Sequence, residues 1–233
     1  MQRFEVAFMM ACDVERRPRK RGEKTRSGWK PAKYHFGSGT EAHPEGECLF
    51  GEVRLLGTAV LMNELRGAKR LIIPGKIEQR YADEKIEIGG EMQSPWQGFI
   101  LREILVEDYN VDPAVIEWIR SDGGTFEAVR SIVDKIRDLG LQFREVIVVT
   151  NKYHHERVYE MLRDFRAYEV CVRSAESLLM AADETRCEKF LAVHLDQRAL
   201  RARYLDEAKG VGAFISRRYN SRRHGWKKTP VFR

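Results

Sequence analysis

Residues 145–157 read E-V-I-V-V-T-N-K-Y-H-H-E-R. Val146 to Val149 is an unbroken, mostly β-branched apolar run, as required of a strand buried on both faces of a parallel sheet. It stops at Thr150 and Asn151. Val158, Met161, Leu162 and Phe165 then recur at helical spacing, so the strand passes through a polar turn into an amphipathic helix. This unit puts Thr150, Asn151 and His154 at a carboxyl edge, where open α/β sheets bind ligands, with His154 and Arg157 on one face of the helix start.

The same pattern repeats outward. Phe4 to Ala11 reads as a first strand. Residues 13–47 are polar, basic and rich in Gly and Pro, a long loop. Within it G-S-G-T-E-A at 37–42 superficially matches the dinucleotide fingerprint, but no clear strand precedes it and Pro44 interrupts any following helix. A helix is expected over 52–65 with Gly67 as its cap, then a short strand over 69–73 ending at Pro74-Gly75-Lys76. Gly75 permits a sharp turn and a close approach to a ligand, or is a plain turn glycine. Residues 77–94 read as a second loop, 95–109 as a helix, 115–119 as a strand and 125–139 as a helix. A strand over 169–172, a short helix over 175–182 and a longer helical stretch over 184–209 complete the pattern. Strands alternating with helices of this length predict an α/β, Rossmann-like, doubly wound sheet of about five mainly parallel strands, with helices on both faces. Residues 1–216 form one expected domain, followed by a basic tail, 217–233.

The chain of 233 residues carries +6, unevenly. Residues 16–33 hold nine Lys/Arg against one acid, and 217–233 seven against none. Those segments exceed the net charge, so the rest of the chain is acidic, and only they supply a strong positive field. Four widely spaced cysteines without a C-x-x-C pair argue against a zinc knuckle or disulfide framework. Val6 to Cys12 is too short and too closely flanked by acids for a signal peptide, and no stretch reaches the ~18–20 apolar residues that cross a bilayer. A cytoplasmic protein without a membrane partner is expected.

His154 titrates near neutral pH and is the natural general acid/base or phosphate donor. Arg157 suits a carboxylate or phosphate, or an ordinary ion pair with Glu160 or Glu156. Thr125 and Glu127 would line the same crevice, or serve as an N-cap and a first-turn acid. Adjacent His154 and His155 diverge by about 100° on a helix, so no metal is expected. Neither a G-x-S-x-G elbow nor a P-loop is present.

Three blocks carry a resemblance: L-I-I-P-G-K at 71–76, S-D-G-G-T-F-E-A at 121–128 and V-T-N-K-Y-H-H-E-R at 149–157. In this order the chain resembles the bacterial YdcF/SanA/ElyC-like domain family, whose corresponding blocks are a strand ending in Ser-Gly-Gly, Ser-x-x-Thr-x-Glu and Thr-Ser-x-x-His-x-x-Arg. Arg54 and Ala175-Glu176 also fit, and the match spans roughly residues 4–216. The resemblance implies a Rossmann-like fold and a carboxyl-edge pocket for a small ligand, with an S-adenosylmethionine-like or nucleotide molecule among the candidates. It implies no particular reaction; together with the residue reading, catalytic roles are expected for His154 and Glu127 and ligand contacts from Gly75, Thr125, Thr150, Asn151, Arg157 and Arg54. The expected partner is an anionic small molecule. The alternative is an RNA- or polyanion-binding module using the basic loop and tail, with Trp29, Tyr34, Tyr219 and Trp226 for stacking. The basic loop leaves the first strand's carboxyl end, so it is also expected to cover the crevice as a lid, with Arg19, Lys20 and Arg21 attracting the ligand.

Overall fold

The computed structural model describes residues 3–17, 28–32, 50–194 and 197–216. In chain order these form β1 (Phe4–Met9), β2 (Val14–Arg16), β3 (Trp29–Pro31), α1 (Phe50–Asn63), β4 (Ala68–Gly75), β5 (Ile86–Ile88), β6 (Glu91–Gln93) and α2 (Gln97–Tyr109). They continue with β7 (Ile116–Arg120), α3 (Thr125–Asp138), β8 (Val146–Thr150), α4 (His155–Asp164), β9 (Cys171–Ser174), α5 (Ala175–Ala182), α6 (Glu184–His194) and α7 (Gln197–Ile215).

Five apolar strands pair in parallel in the order β7-β4-β1-β8-β9. Alternation along each strand divides the core in two. Ala7, Met9, Leu71, Ile73, Ile147 and Val149 face α1, α2 and α5, whereas Val6, Phe8, Ile72, Val146 and Val148 face α3 and α4. The chain therefore winds one way from β1 to β4 to β7 with its helices on one face, then the other way from β8 to β9 with its helices on the opposite face. That arrangement keeps the crossover hand constant and parts the connections beyond the carboxyl ends of β1 and β8. The fold is α/β, Rossmann-like and doubly wound. No helix among the described residues is long and apolar enough to cross a membrane.

Several local expectations are corrected. α1 is buried almost all round, because the sheet covers one side and α5 and α6 the other. Its left-handed terminal residue is Arg66 (φ 45°), and Gly67 follows it, donating its N–H to the Leu61 carbonyl at 2.9 Å. The polar stretch 77–94 is not all loop: β5 and β6 pair antiparallel around Gly89 and Gly90, whose φ values of 61° and 86° suit a tight hairpin turn. The loop expected over 13–47 begins and returns as paired strands, β2 and β3. Residues 184–209 contain two helices rather than one.

Gly75 is the last residue of β4 rather than a turn glycine, and the close approach it allows is to a helix. A Cβ built on it would lie 2.1 Å from the backbone nitrogen of Gly98, in the first turn of α2. Backbone cannot move aside as a flexible side chain would. Gly75→Ala should therefore destabilise the fold by about 3 kcal/mol or more in urea denaturation, and a loss below about 1 kcal/mol would contradict this packing.

Candidate functional site

A cavity of about 530 Å³ opens at the carboxyl edge, at the crevice the winding creates. Every parallel strand except the edge strand β9 sends its connection into the wall. Met10 to Asp13 follow β1, Pro74 and Gly75 end β4 with Lys76 just after them, Ser121 and Gly123 to Thr125 follow β7, and Tyr153, His154 and Arg157 follow β8. First-turn residues of α1 and α2, among them Gly51 and Gln97, complete it.

His154 ends a single 3₁₀ turn, Lys152–His154, that leads directly into α4. Its Nδ1 lies 3.0 Å from Thr150 Oγ1, and its Nε2 lies 3.0 Å from Arg157 Nη2 and 3.4 Å from Thr125 Oγ1. A guanidinium nitrogen only donates, so Nε2 accepts and the ring proton sits on Nδ1, directed at Thr150. This leaves a basic lone pair on the cavity-lining histidine, covered by Arg157. Arg157 is itself held from behind, its Nε 3.0 Å from Glu207 Oε2 of α7. The ion pairs with Glu156 or Glu160 do not form; Glu160 pairs with Arg163 instead.

Arg54 is 3% exposed. Its Nη1 donates to the carbonyls of Met10 (2.8 Å) and Ala11 (2.7 Å), just past β1, and its Nε donates to Asn151 Oδ1 at 2.9 Å, just past β8. Asn151 Nδ2 donates to the Phe50 carbonyl at 3.0 Å and to Glu176 Oε1 at 3.4 Å, and Glu176 Oε2 accepts the Lys152 N–H at 2.9 Å. Burial raises the Glu176 carboxyl above its ordinary 4.5, against the lowering effects of these hydrogen bonds and of Arg54.

Of the residues expected to bind or react, Gly75, Thr125, His154, Arg157 and Arg54 line the cavity together. Thr150 and Asn151 are fully buried behind it, where they position His154 and Arg54. Glu127 is not on the wall, and both its buried carboxylate oxygens lack a hydrogen-bond partner. Thr125 is not the N-cap of α3; Gly124 is, without a side-chain cap. Cys12, Asp13, Lys76, Arg80, Gln97 and Ser121 also line the cavity and were not read from the sequence. Gln97 Nε2 donates to Asp13 Oδ1 and to the buried Glu78 Oε2, both at 3.0 Å, and Glu78 also accepts the Val14 N–H, which ties the start of β2 to α2. Burial pushes the Cys12 thiol up to about 12, so it is no thiolate nucleophile near neutral pH. No cluster of three His, Cys, Asp or Glu able to hold a metal occurs among the described residues.

Asp13 and Ala32 put both stems of the basic loop on the wall containing His154. Arg19, Lys20 and Arg21, the 37–42 glycine stretch, Tyr34, and the tail with Tyr219 and Trp226 lie outside the described residues. Trp29, expected to be free for base stacking, is only 7% exposed; it packs edge-to-face on Tyr81, and the Arg16 guanidinium lies 3.8 Å from its ring centroid.

Two outcomes are expected. Arg54→Lys lacks the fork that spans β1 and β8 and should cost about 3–5 kcal/mol in urea denaturation; a loss under about 1 kcal/mol would refute the clamp. Glu176 is a carboxyl with a raised folded value, so above its ordinary value the folded protein keeps a proton that the unfolded chain has lost. Its contribution to stability therefore falls as pH rises through that window. The stability of Glu176→Gln relative to the unsubstituted protein should rise from pH 4.5 towards neutrality, and a flat difference would count against the raised value.

Against protein-family models, curated proteins and solved structures, the chain matches none.

Proposed function

We propose that this is a YdcF-like protein that receives an anionic, nucleotide-like small molecule in the carboxyl-edge cavity. The observation that supports this most is the charge of the wall. Arg54, Lys76, Arg80 and Arg157 line it, against Asp13 as the one acid among the described lining residues. Of the four cations, Arg157 is also paired with Glu207 and Arg80 lies 3.8 Å from Glu15, while Asp13 accepts a hydrogen bond from the neutral Gln97 amide. The described lining is thus cationic even though the chain outside its two basic segments is acidic, and a cleft of one sign concentrates ligands of the other. The first turn of α3 reaches the wall without a side-chain cap and adds the positive end of a helix dipole.

In this reading Arg157 and Lys76 hold the anion, and Tyr153 and Phe50 offer apolar surface to the rest of the ligand. His154 is the group able to take or give a proton, through Nε2. S-adenosylmethionine, with its carboxylate and adenosine, and nucleotides fall in the same class.

Thermal-shift measurements with nucleotides, S-adenosylmethionine and sugar phosphates test the reading. A true ligand at a hundredfold excess over its Kd adds about 2.7 kcal/mol, which a chain of this size shows as roughly 5–10 °C. Arg157→Ala should weaken that ligand at least about tenfold. No response from any compound, or an undiminished response in Arg157→Ala, would defeat the proposal.

A further inference from the structure

The loop between β7 and α3 contains a buried hydroxyl that the fold does not use. Ser121 is 2% exposed, lines the cavity, and its Oγ has no hydrogen-bond partner. Its backbone is fixed, because the Ser121 N–H donates to the Gly75 carbonyl at 3.0 Å. A buried hydroxyl left unpaired is unfavourable, and native proteins rarely keep one without a use. Three residues further on, Gly124 caps the 14-residue α3 with no side-chain acceptor for its first-turn N–H groups, and Gly123, Gly124 and Thr125 are all on the cavity wall.

Two cations belong to the same wall. Arg157 Nη2 lies 3.4 Å from Thr125 Oγ1, and Lys76, just past the end of β4, forms no ion pair among the described residues. The group therefore combines a buried, unpartnered hydroxyl, a second hydroxyl beside Arg157 and His154, uncapped helix N–H groups and two cations, of which Arg157 is also paired with Glu207. A carboxylate has two oxygens and one charge. A phosphate monoester has three terminal oxygens and close to two charges, and so uses more of these donors.

We propose that Ser121, the Gly123–Thr125 start of α3, Lys76 and Arg157 form a subsite for the phosphate of a phosphate monoester. This rests on the anion-pocket reading and narrows it: the ligand is a nucleoside monophosphate or a sugar phosphate rather than a carboxylate, and its phosphate lies at α3.

The test is calorimetric titration of the full chain with inorganic phosphate, AMP, adenosine and acetate at matched ionic strength. Phosphate and AMP should bind in competition, with adenosine and acetate at least tenfold weaker. Ser121→Ala breaks no hydrogen bond of Oγ, so it should keep its melting temperature while weakening phosphate about tenfold, the usual effect of losing a hydrogen bond to a charged group. Lys76→Met, at a half-buried position with no ion pair to lose, should weaken phosphate as well. If both variants bind phosphate as tightly as the unsubstituted protein, the subsite is wrong. If S-adenosylmethionine or acetate binds in an Arg157-dependent way and phosphate does not, the subsite falls and the wider anion-pocket reading stands. If no anion binds at all, both fall.

Discussion

The guanidinium of Arg54 bridges the two strands at which the winding of the sheet reverses. Its donors reach the carbonyls of Met10 and Ala11 beyond β1 and the amide oxygen of Asn151 beyond β8. These positions lie where neighbouring strands send their connections to opposite faces of the sheet, so the backbone there diverges and leaves polar groups without ladder partners. A buried charge is tolerable only when its hydrogen-bonding capacity is met. Arg54 satisfies its Nε and Nη1 donors with the loose carbonyls that the reversal creates and with Asn151. The cost of burying the charge and the cost of the unpaired carbonyls thus offset each other, and the crevice is held open at its base.

The rest of the site is built in two layers on this clamp. The inner layer is buried and holds geometry: Asn151 orients Arg54, Glu176 receives the N–H of the turn after β8, and Thr150 holds the His154 ring through Nδ1. The outer layer, with Arg157, Lys76, Ser121 and Thr125, meets the cavity. The resemblance treats Thr150, Asn151 and His154 as one block, yet the first two never reach the wall. The polar residues that end a buried strand are needed first to finish the strand, and only the residue one turn further on is free to face a ligand.

What was legible in the sequence follows from locality. The run Val146 to Val149, its polar end and the helical spacing after it are contiguous, so the βα unit and the placing of His154 beside Arg157 can be read directly. The alternation of strands with helices along the chain predicts the doubly wound sheet in the same way. Partners far apart in the chain could not be read. Arg54 and Asn151 are 97 positions apart, and Arg54 looks like an ordinary helical residue. Glu78 lies in a polar stretch indistinguishable from loop, although it is a buried junction between β2 and α2. Glu207 sits on α7, whose charges give no sign that one of them braces Arg157. Gly75 was noticed, but sequence cannot distinguish a glycine that admits a ligand from one that admits a helix.

The chemistry open to the cavity is narrower than its list of polar residues suggests. Cys12 is held as a thiol by burial, and Ser121 has no base bonded to it, so neither is prepared for covalent catalysis. That leaves His154, whose Nε2 lone pair is covered by a guanidinium 3.0 Å away. The same guanidinium lines the cavity and is the strongest anion donor near α3. In the proposed function, an anion that draws Arg157 Nη2 towards itself would loosen one of the two contacts of Nε2, leaving Thr125 Oγ1 at 3.4 Å, while Glu207 on Nε would hold the side chain in place. On that reading anion binding and the availability of the base would be coupled through one side chain, whereas a neutral ligand of the same shape would leave Arg157 on Nε2.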